Sequence, residues 1–345
     1  MSNEVSEQIL IIGHFAKKQF KNDGQTVKTN EIYKELIKKK ISRINVIDTQ
    51  NCRKNMILFL FKVLGSIGKS KKIILIVSSR GASFLVPLLA FLKKIFKYKI
   101  CYCVVGSWLD KIIEKNRILK NGLKVVDLIL VETNGLKVEL KKHSICNVDI
   151  MYNFKDITLN DELNLKRENY SFCTFSRVIE KKGIEDAMYA INELNKDGMN
   201  LKLDIYGPIG EEYAERINNQ LFKYKKNIKY KGNVQPENSV KYISNYDLLI
   251  FPTHYLKEGL PGTIIDAYCS GTPVIASNWM YAEEFITNDT GYIYKFASKE
   301  DLKIKIKEVL ENRRNIEEKR LKCLSYVNKF KPENAIKPLI EFIEK

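Results

Sequence analysis

Short apolar, β-rich runs recur along this chain at intervals filled by charged, helix-favouring stretches, and the pattern occurs twice. ILIIG (9–13), INVID (44–48), IILIVS (73–78), ICYCVVG (100–106) and LILVE (128–132) form the first set. FCTFS (172–176), LKLDIYG (201–207), IKYKG (228–232), DLLIFP (247–252), PVIAS (273–277) and GYIY (291–294) form the second. Strands apolar on both faces need cover on both, and strands that alternate with helices pair in parallel. The rhythm predicts an α/β chain of two Rossmann-like, doubly wound domains, residues 1–155 and 156–332, and the polar stretch 153–169 has the composition of a linker. A length of 345 residues agrees, because one core rarely holds so long a chain. Ligands of such sheets bind beyond the C-terminal ends of the strands, so the expectation is two domains facing each other across a cleft. The last helix, near 333–345, suits either domain.

Charge divides the chain unevenly. Of 58 Lys and Arg and 41 Asp and Glu, the first 150 residues carry 28 and 12, and the remainder 30 and 29. Between Asn51 and Ile100 eleven basic residues occur with no acidic one. The N-terminal half is therefore expected to face an anion: phosphate, nucleic acid or an acidic membrane surface. Nucleic acid fits least, because the basic half has no recognition-helix motif, RNP-like strand or interleaved exposed aromatics. The seven cysteines form no CxxC pair, which supports neither a zinc site nor a disulfide framework and suits reduced thiols in a cytoplasm. The start MSNEVSEQ is polar, and no uncharged apolar run reaches the ~18 residues of a spanning helix. A cytoplasmic location follows as the expectation.

The stretch FPTHYLKEGLPGTIIDAYCSGTPVIAS (251–277) reads as strand, loop, helix, small-residue turn and strand. Glu258 ends the loop, Gly259 and Gly262 permit close backbone approach to a ligand, and a helix starting near Gly262 or Thr263 offers unpaired N–H groups suited to phosphate. Asp266 follows Glu258 by eight residues, one turn into that helix, so two carboxylates can face one ligand.

In this stretch the sequence resembles the retaining glycosyltransferases of family 4, which have the GT-B fold, and the resemblance covers most of the chain. The family's Glu-x7-Glu motif falls on Glu258 and Asp266, so the resemblance implies that Glu258 contacts the donor hexose and Asp266 the ribose hydroxyls. Here the second position is Asp, one methylene shorter. SRVIEKKGIEDAMYAI (176–191) resembles the family's Arg-x4-Lys-Gly element, which implies that Arg177 and Lys182 stabilise the departing diphosphate. No metal is then required, and no DxD-like pair flanked by apolar residues is present. GHFAKKQFKNDGQTVKTNEIYKEL (13–36) resembles the family's glycine-containing first loop, with Gly24 offering an N–H to the distal phosphate and Asp23 in place of a second glycine. Residues after Gly232, Val234 among them, are implied to edge the base, and Asn153 resembles the Asn that closes the N-terminal domain.

His14 and His254 could line the site, yet sequence supplies neither with an orienting carboxylate, and none is assigned as a base. Gly106, Ser107 and Trp108 end the fourth strand and could border the acceptor; Trp108 serves equally well as core. FLVPLLAFLKKIFKYK (84–99) is either a helix packed on the sheet or one that lies on anionic lipid. The resulting expectation is a retaining, metal-independent hexosyltransferase without a cofactor. It uses a nucleotide diphosphate sugar, UDP by frequency in the family, and a lipid-linked or oligosaccharide acceptor. Bacterial capsule or exopolysaccharide synthesis at the inner face of the cell membrane is the implied setting. A sugar-nucleotide epimerase on the same fold is the alternative, and a basic nucleic-acid binder the weaker one.

Overall fold

The structure is a computed structural model that describes residues 8–16, 24–41, 43–50, 52–155 and 170–345. The polar N-terminal residues 1–7, most of the first loop (17–23, with Asp23) and the linker stretch 156–169 lie outside the described residues. The chain divides into two units, residues 1–153 with 332–345, and residues 154–331.

The N-terminal unit holds β1 (Ile9–Gly13), β2 (Ile44–Asp48), β3 (Lys72–Ile76), β4 (Lys99–Cys103), β5 (Leu128–Val131) and β6 (Val148–Ile150) in one sheet of order β2-β1-β3-β4-β5-β6. All pairings are parallel. The C-terminal unit holds β7 (Ser171–Phe175), β8 (Lys202–Tyr206), β9 (Ile228–Gly232), β10 (Leu248–Phe251), β11 (Val274–Ser277) and β12 (Gly291–Tyr294), ordered β12-β11-β10-β7-β8-β9 and again parallel. Every residue of β1, β3, β10 and β11 is buried, as strands covered by helices on both faces must be. The strand that periodicity did not announce is β6, whose three residues are too few to show a pattern.

The final helix, Lys337–Glu344, packs with the N-terminal unit. Leu339 and Ile343 are fully buried, and the Lys72 ammonium donates to the Ile343 carbonyl, so this lysine of the basic half is spent on the fold. The helix Ser79–Phe96 meets the helix Arg117–Val125 closely: a Cβ on Gly122 would lie 3.2 Å from Pro87 Cα, so glycine sets that approach.

Candidate functional site

In an open parallel sheet, the chain reverses its direction of travel at one point, and the loops leaving the two strands there diverge to leave a crevice. In the C-terminal unit that point lies between β7 and β10. The loop after β7 carries Arg177 and Lys182; the loop after β10 carries Thr253, His254 and Glu258.

Lys182 and Glu258, both named from sequence, meet here: Lys182 Nζ donates to Glu258 Oε2 at 2.8 Å, and Thr253 Oγ1 donates to the same oxygen at 3.1 Å. The ammonium also lies 5.3 and 5.1 Å from the ring centroids of Phe251 and Tyr255, within cation–π range. The two loops are forced together at Gly183, whose φ of +65° puts any Cβ 1.9 Å from the Pro252 carbonyl oxygen; only glycine fits. A hydrogen bond from His254 N–H to the Lys181 carbonyl, 2.9 Å, adds to this seam. His254 Nε2 then lies 2.7 Å from Asp186 Oδ2, in the first turn of helix Ile184–Lys196, and donates to it. Sequence reading offered His254 no orienting carboxylate, because Asp186 is 68 residues away.

The helix Gly262–Cys269 begins where expected, with Pro261 before it. Thr263 Oγ1 donates to the Phe175 carbonyl at 2.7 Å, which ties this helix N-terminus to the end of β7. A Cβ on Gly262 would meet nothing within 4 Å, so internal packing places no demand for glycine there. Asp266 is buried, and its carboxylate is gripped by Lys155 Nζ at 2.7 Å (Oδ1) and 2.9 Å (Oδ2). Burial pushes the Asp266 carboxyl above its ordinary value, while Lys155 and Ser239 pull the other way. Lys155 was not foreseen: it stands in a polar stretch that carries no pattern. Arg177, by contrast, is exposed, and its side chain makes no hydrogen bond or ion pair among the described residues. Gly259 is buried within the loop, and Val234 is half-buried after β9.

In the N-terminal unit the reversal lies between β1 and β3. His14 follows β1, with Nδ1 3.5 Å from Thr49 Oγ1, and exposed Gly24 opens helix Gly24–Lys38. After β4, Gly106 takes φ +79° and donates its N–H to Glu132 Oε2 at 3.3 Å, and Trp108 Nε1 donates to the Val105 carbonyl at 2.7 Å. Glu132 is itself paired with buried Lys28, which also reaches the Val104 carbonyl at 3.5 Å. Lys28 and Glu132 escaped sequence analysis because 104 residues separate them. Ser107 is buried, and its hydroxyl has no partner among the described residues. Among those residues no three His, Cys, Asp or Glu side chains gather as a metal site needs.

Two parallel Rossmann-like units, each with helices on both faces, define the GT-B fold. Solved structures bear this out: Anabaena HepE in complex with UDP superposes with a TM-score of 0.76 over 98% of this chain and 99% of that one, at 14% identity. Sucrose-phosphate synthase from Thermosynechococcus elongatus gives a TM-score of 0.78 over 98% of each chain, also at 14% identity. The chain belongs to the glycosyl transferases group 1 family, whose model matches residues 156–330. The capsular polysaccharide biosynthesis glycosyltransferase CapH of Staphylococcus aureus is 30% identical over 176 residues, 48% of this chain and 46% of CapH. The chain spans about half the length of the first curated relatives it matches, at 47% and 46%.

Proposed function

We propose that this protein is a retaining hexosyltransferase of family 4 that moves a sugar from UDP to a hydroxyl of a lipid-linked glycan in surface polysaccharide synthesis. The observation that carries the reading is the pairing of Lys182 and Glu258 at the strand-order reversal of the C-terminal unit. A fixed ammonium and a fixed carboxylate side by side suit a substrate with opposite charge demands at neighbouring atoms: a diphosphate that gains charge, and a C1 carbon that loses it. In the reaction the bond from C1 to the diphosphate oxygen breaks. The acceptor oxygen bonds C1 on the same face, and its proton passes to the departing phosphate oxygen. Lys182, Arg177 and the N–H groups of Gly262 and Thr263 receive the leaving charge. Glu258 meets the hexose, Asp266 the ribose, and Val234 the edge of the base. This chemistry requires neither metal nor cofactor. In the N-terminal unit the acceptor meets His14 and the Ser107 hydroxyl, because the N–H groups of Gly106 and Trp108 are already bonded to Glu132 and to the Val105 carbonyl.

The basic N-terminal unit supports an anionic bilayer as the second partner. Helices Met56–Ile67 and Ser79–Phe96 bridge β2 to β3 and β3 to β4, crossings that run the same way along the sheet, so right-handed connections place both on one face. Their C-terminal ends adjoin, with Phe96 3.8 Å from a Cβ built on Gly68. Ile57 (71% exposed), Phe61 (68%), Phe91 and Ile95 (each 62%) stand out from this face. Exposed Lys62, Lys69, Lys94 and Lys97 lie on the same helices and at their C-terminal ends, in a stretch without acids. Exposed apolar and ammonium groups on the same two helices suit a bilayer with anionic headgroups. Among the described residues no helix is long and apolar enough to cross a membrane.

The test is a thermal-shift panel of UDP, GDP, ADP and their common sugars, followed by product analysis with the donor that raises the melting temperature. Slow hydrolysis without acceptor, and an α-linked product from an α-linked donor with acceptor, are expected. An epimerised sugar nucleotide without acceptor would instead indicate an epimerase, for which the His254–Asp186 contact would supply the acid–base pair.

A further inference from the structure

The assignment of Asp266 to the ribose leaves its own geometry unexplained. Asp266 is one methylene shorter than the Glu of the motif it resembles, and both its oxygens already carry a bond from Lys155. The pair is asymmetric in depth: the Lys155 side chain is 24% exposed, the Asp266 side chain 7%. The ammonium is therefore the outer member. An ammonium has three N–H donors. Two are spent on Asp266, and among the described residues the third meets only Ser239 Oγ, at 3.5 Å, whose own proton goes to the Pro236 carbonyl at 2.7 Å. Long as that contact is, a stronger acceptor can take the third proton. On the other side, an ionised carboxylate has about four lone-pair sites, so two bonds from Lys155 leave capacity for a hydroxyl proton. Displacing Lys155 altogether would strand a buried carboxylate without a counter-charge, which the interior strongly disfavours.

We propose that Lys155 is a specificity-determining residue of the donor site, and that Lys155 and Asp266 read the ribose hydroxyls as one unit. A hydroxyl both donates and accepts. Asp266 takes the proton of a ribose hydroxyl, while the Lys155 ammonium donates to a hydroxyl oxygen and makes good the reach that the shorter carboxylate lacks. This inference rests on the ribose role given to Asp266 above, and it adds a residue that the family's motif does not contain.

The experiment compares two ligands on the full chain by titration calorimetry. One is whichever of UDP, GDP and ADP binds tightest, since ribose is common to all three; the other is its 2′,3′-dideoxy analogue. The unaltered protein should prefer the ribonucleotide by about tenfold to a hundredfold, the range for hydrogen bonds to charged groups. In Lys155→Met that preference should shrink to within about threefold while affinity for the dideoxy analogue stays nearly constant. Lys155→Arg should keep most of it. Lys155→Gln serves should the Met variant melt early, because it keeps a polar end without the charge. An equal loss for both nucleotides would mean that Lys155 only supports the fold and would overturn the proposal; so would an undiminished preference in Lys155→Met. Asp266→Asn separates the two levels. If it loses the preference and Lys155→Met does not, Lys155 alone is dismissed. If neither the unaltered protein nor any variant distinguishes the nucleotides, the ribose reading of Asp266 falls with it.

Discussion

The two units share an architecture and differ in where their charge goes. In the C-terminal unit the reversal lies between β7 and β10, and each of those strands feeds a loop that delivers one member of the Lys182–Glu258 pair. In the N-terminal unit the reversal lies between β1 and β3, where the polar contacts include Gln25 Nε2 to the Ile76 carbonyl at 3.4 Å and His14 Nδ1 with Thr49 Oγ1 at 3.5 Å. The buried pair of that unit, Lys28–Glu132, instead fixes the loop after β4, and the exposed lysines lie on outer helices. One fold thus serves two purposes: the C-terminal unit concentrates charge at its strand ends, whereas the N-terminal unit displays charge on a helical face.

The largest expected effect falls on the C-terminal unit. Lys182→Ala should lower turnover by about a hundredfold to a thousandfold, the range for one preorganised charge on a leaving group. Arg177→Ala should cost less, because no hydrogen bond or ion pair among the described residues holds the Arg177 side chain, which has its own position to find. Steady-state rates with the identified donor check both, and near-normal turnover in Lys182→Ala would remove the distinction between the units.

Next in size, Asp266→Asn should weaken nucleotide binding by about tenfold and leave turnover at saturation largely intact, since a ribose contact is similar in ground and transition states. Glu258→Gln should do the reverse. The split between KM and kcat is the measurement, and a common pattern for both variants would show that the two carboxylates do not have separate roles.

For the N-terminal unit, the joint change Lys62→Glu, Lys94→Glu and Lys97→Glu should reduce binding to anionic liposomes about tenfold or more, since each Lys near such a surface contributes roughly 1 kcal/mol. Lys93 is left out because its ammonium pairs with Asp127 at 2.7 Å and belongs to the fold. Binding should weaken with salt and be poor on neutral vesicles. Transfer to a soluble acceptor analogue should persist; its loss would mean that the face is part of the reaction site rather than a docking surface.

The smallest effect concerns the edge of the N-terminal sheet. Burial raises the Asp149 carboxyl, but the bond from Lys137 and the Ile150 N–H outweigh it and hold the group below its ordinary value. A depressed folded value adds stability above the unfolded pKa, lost as pH falls through the folded one. Asp149→Asn should therefore cost under about 1 kcal/mol near pH 7, as half-exposed pairs do, and nothing in strong acid. Denaturant melts at the two pH values decide it, and an equal cost at both would show that the charge is irrelevant.

Sequence by itself determined the repeated parallel-sheet architecture and the start of helix Gly262–Cys269, and it singled out Lys182, Glu258 and Asp266 as candidates, because each is written in local periodicity or in a short contiguous motif. It determined eleven of the twelve strands among the described residues for the same reason and missed β6, where three residues cannot establish a period. Only tertiary structure decided which side chains meet. Lys182 reaches Glu258 across 76 residues, Lys155 reaches Asp266 across 111 and Lys28 reaches Glu132 across 104. Strand order, which no local pattern encodes, sets these distances: β7 lies beside β10 in the sheet although two other strands intervene in the chain. That adjacency comes from burying both faces of a sheet under right-handed crossovers, a property of the whole unit and of no single segment.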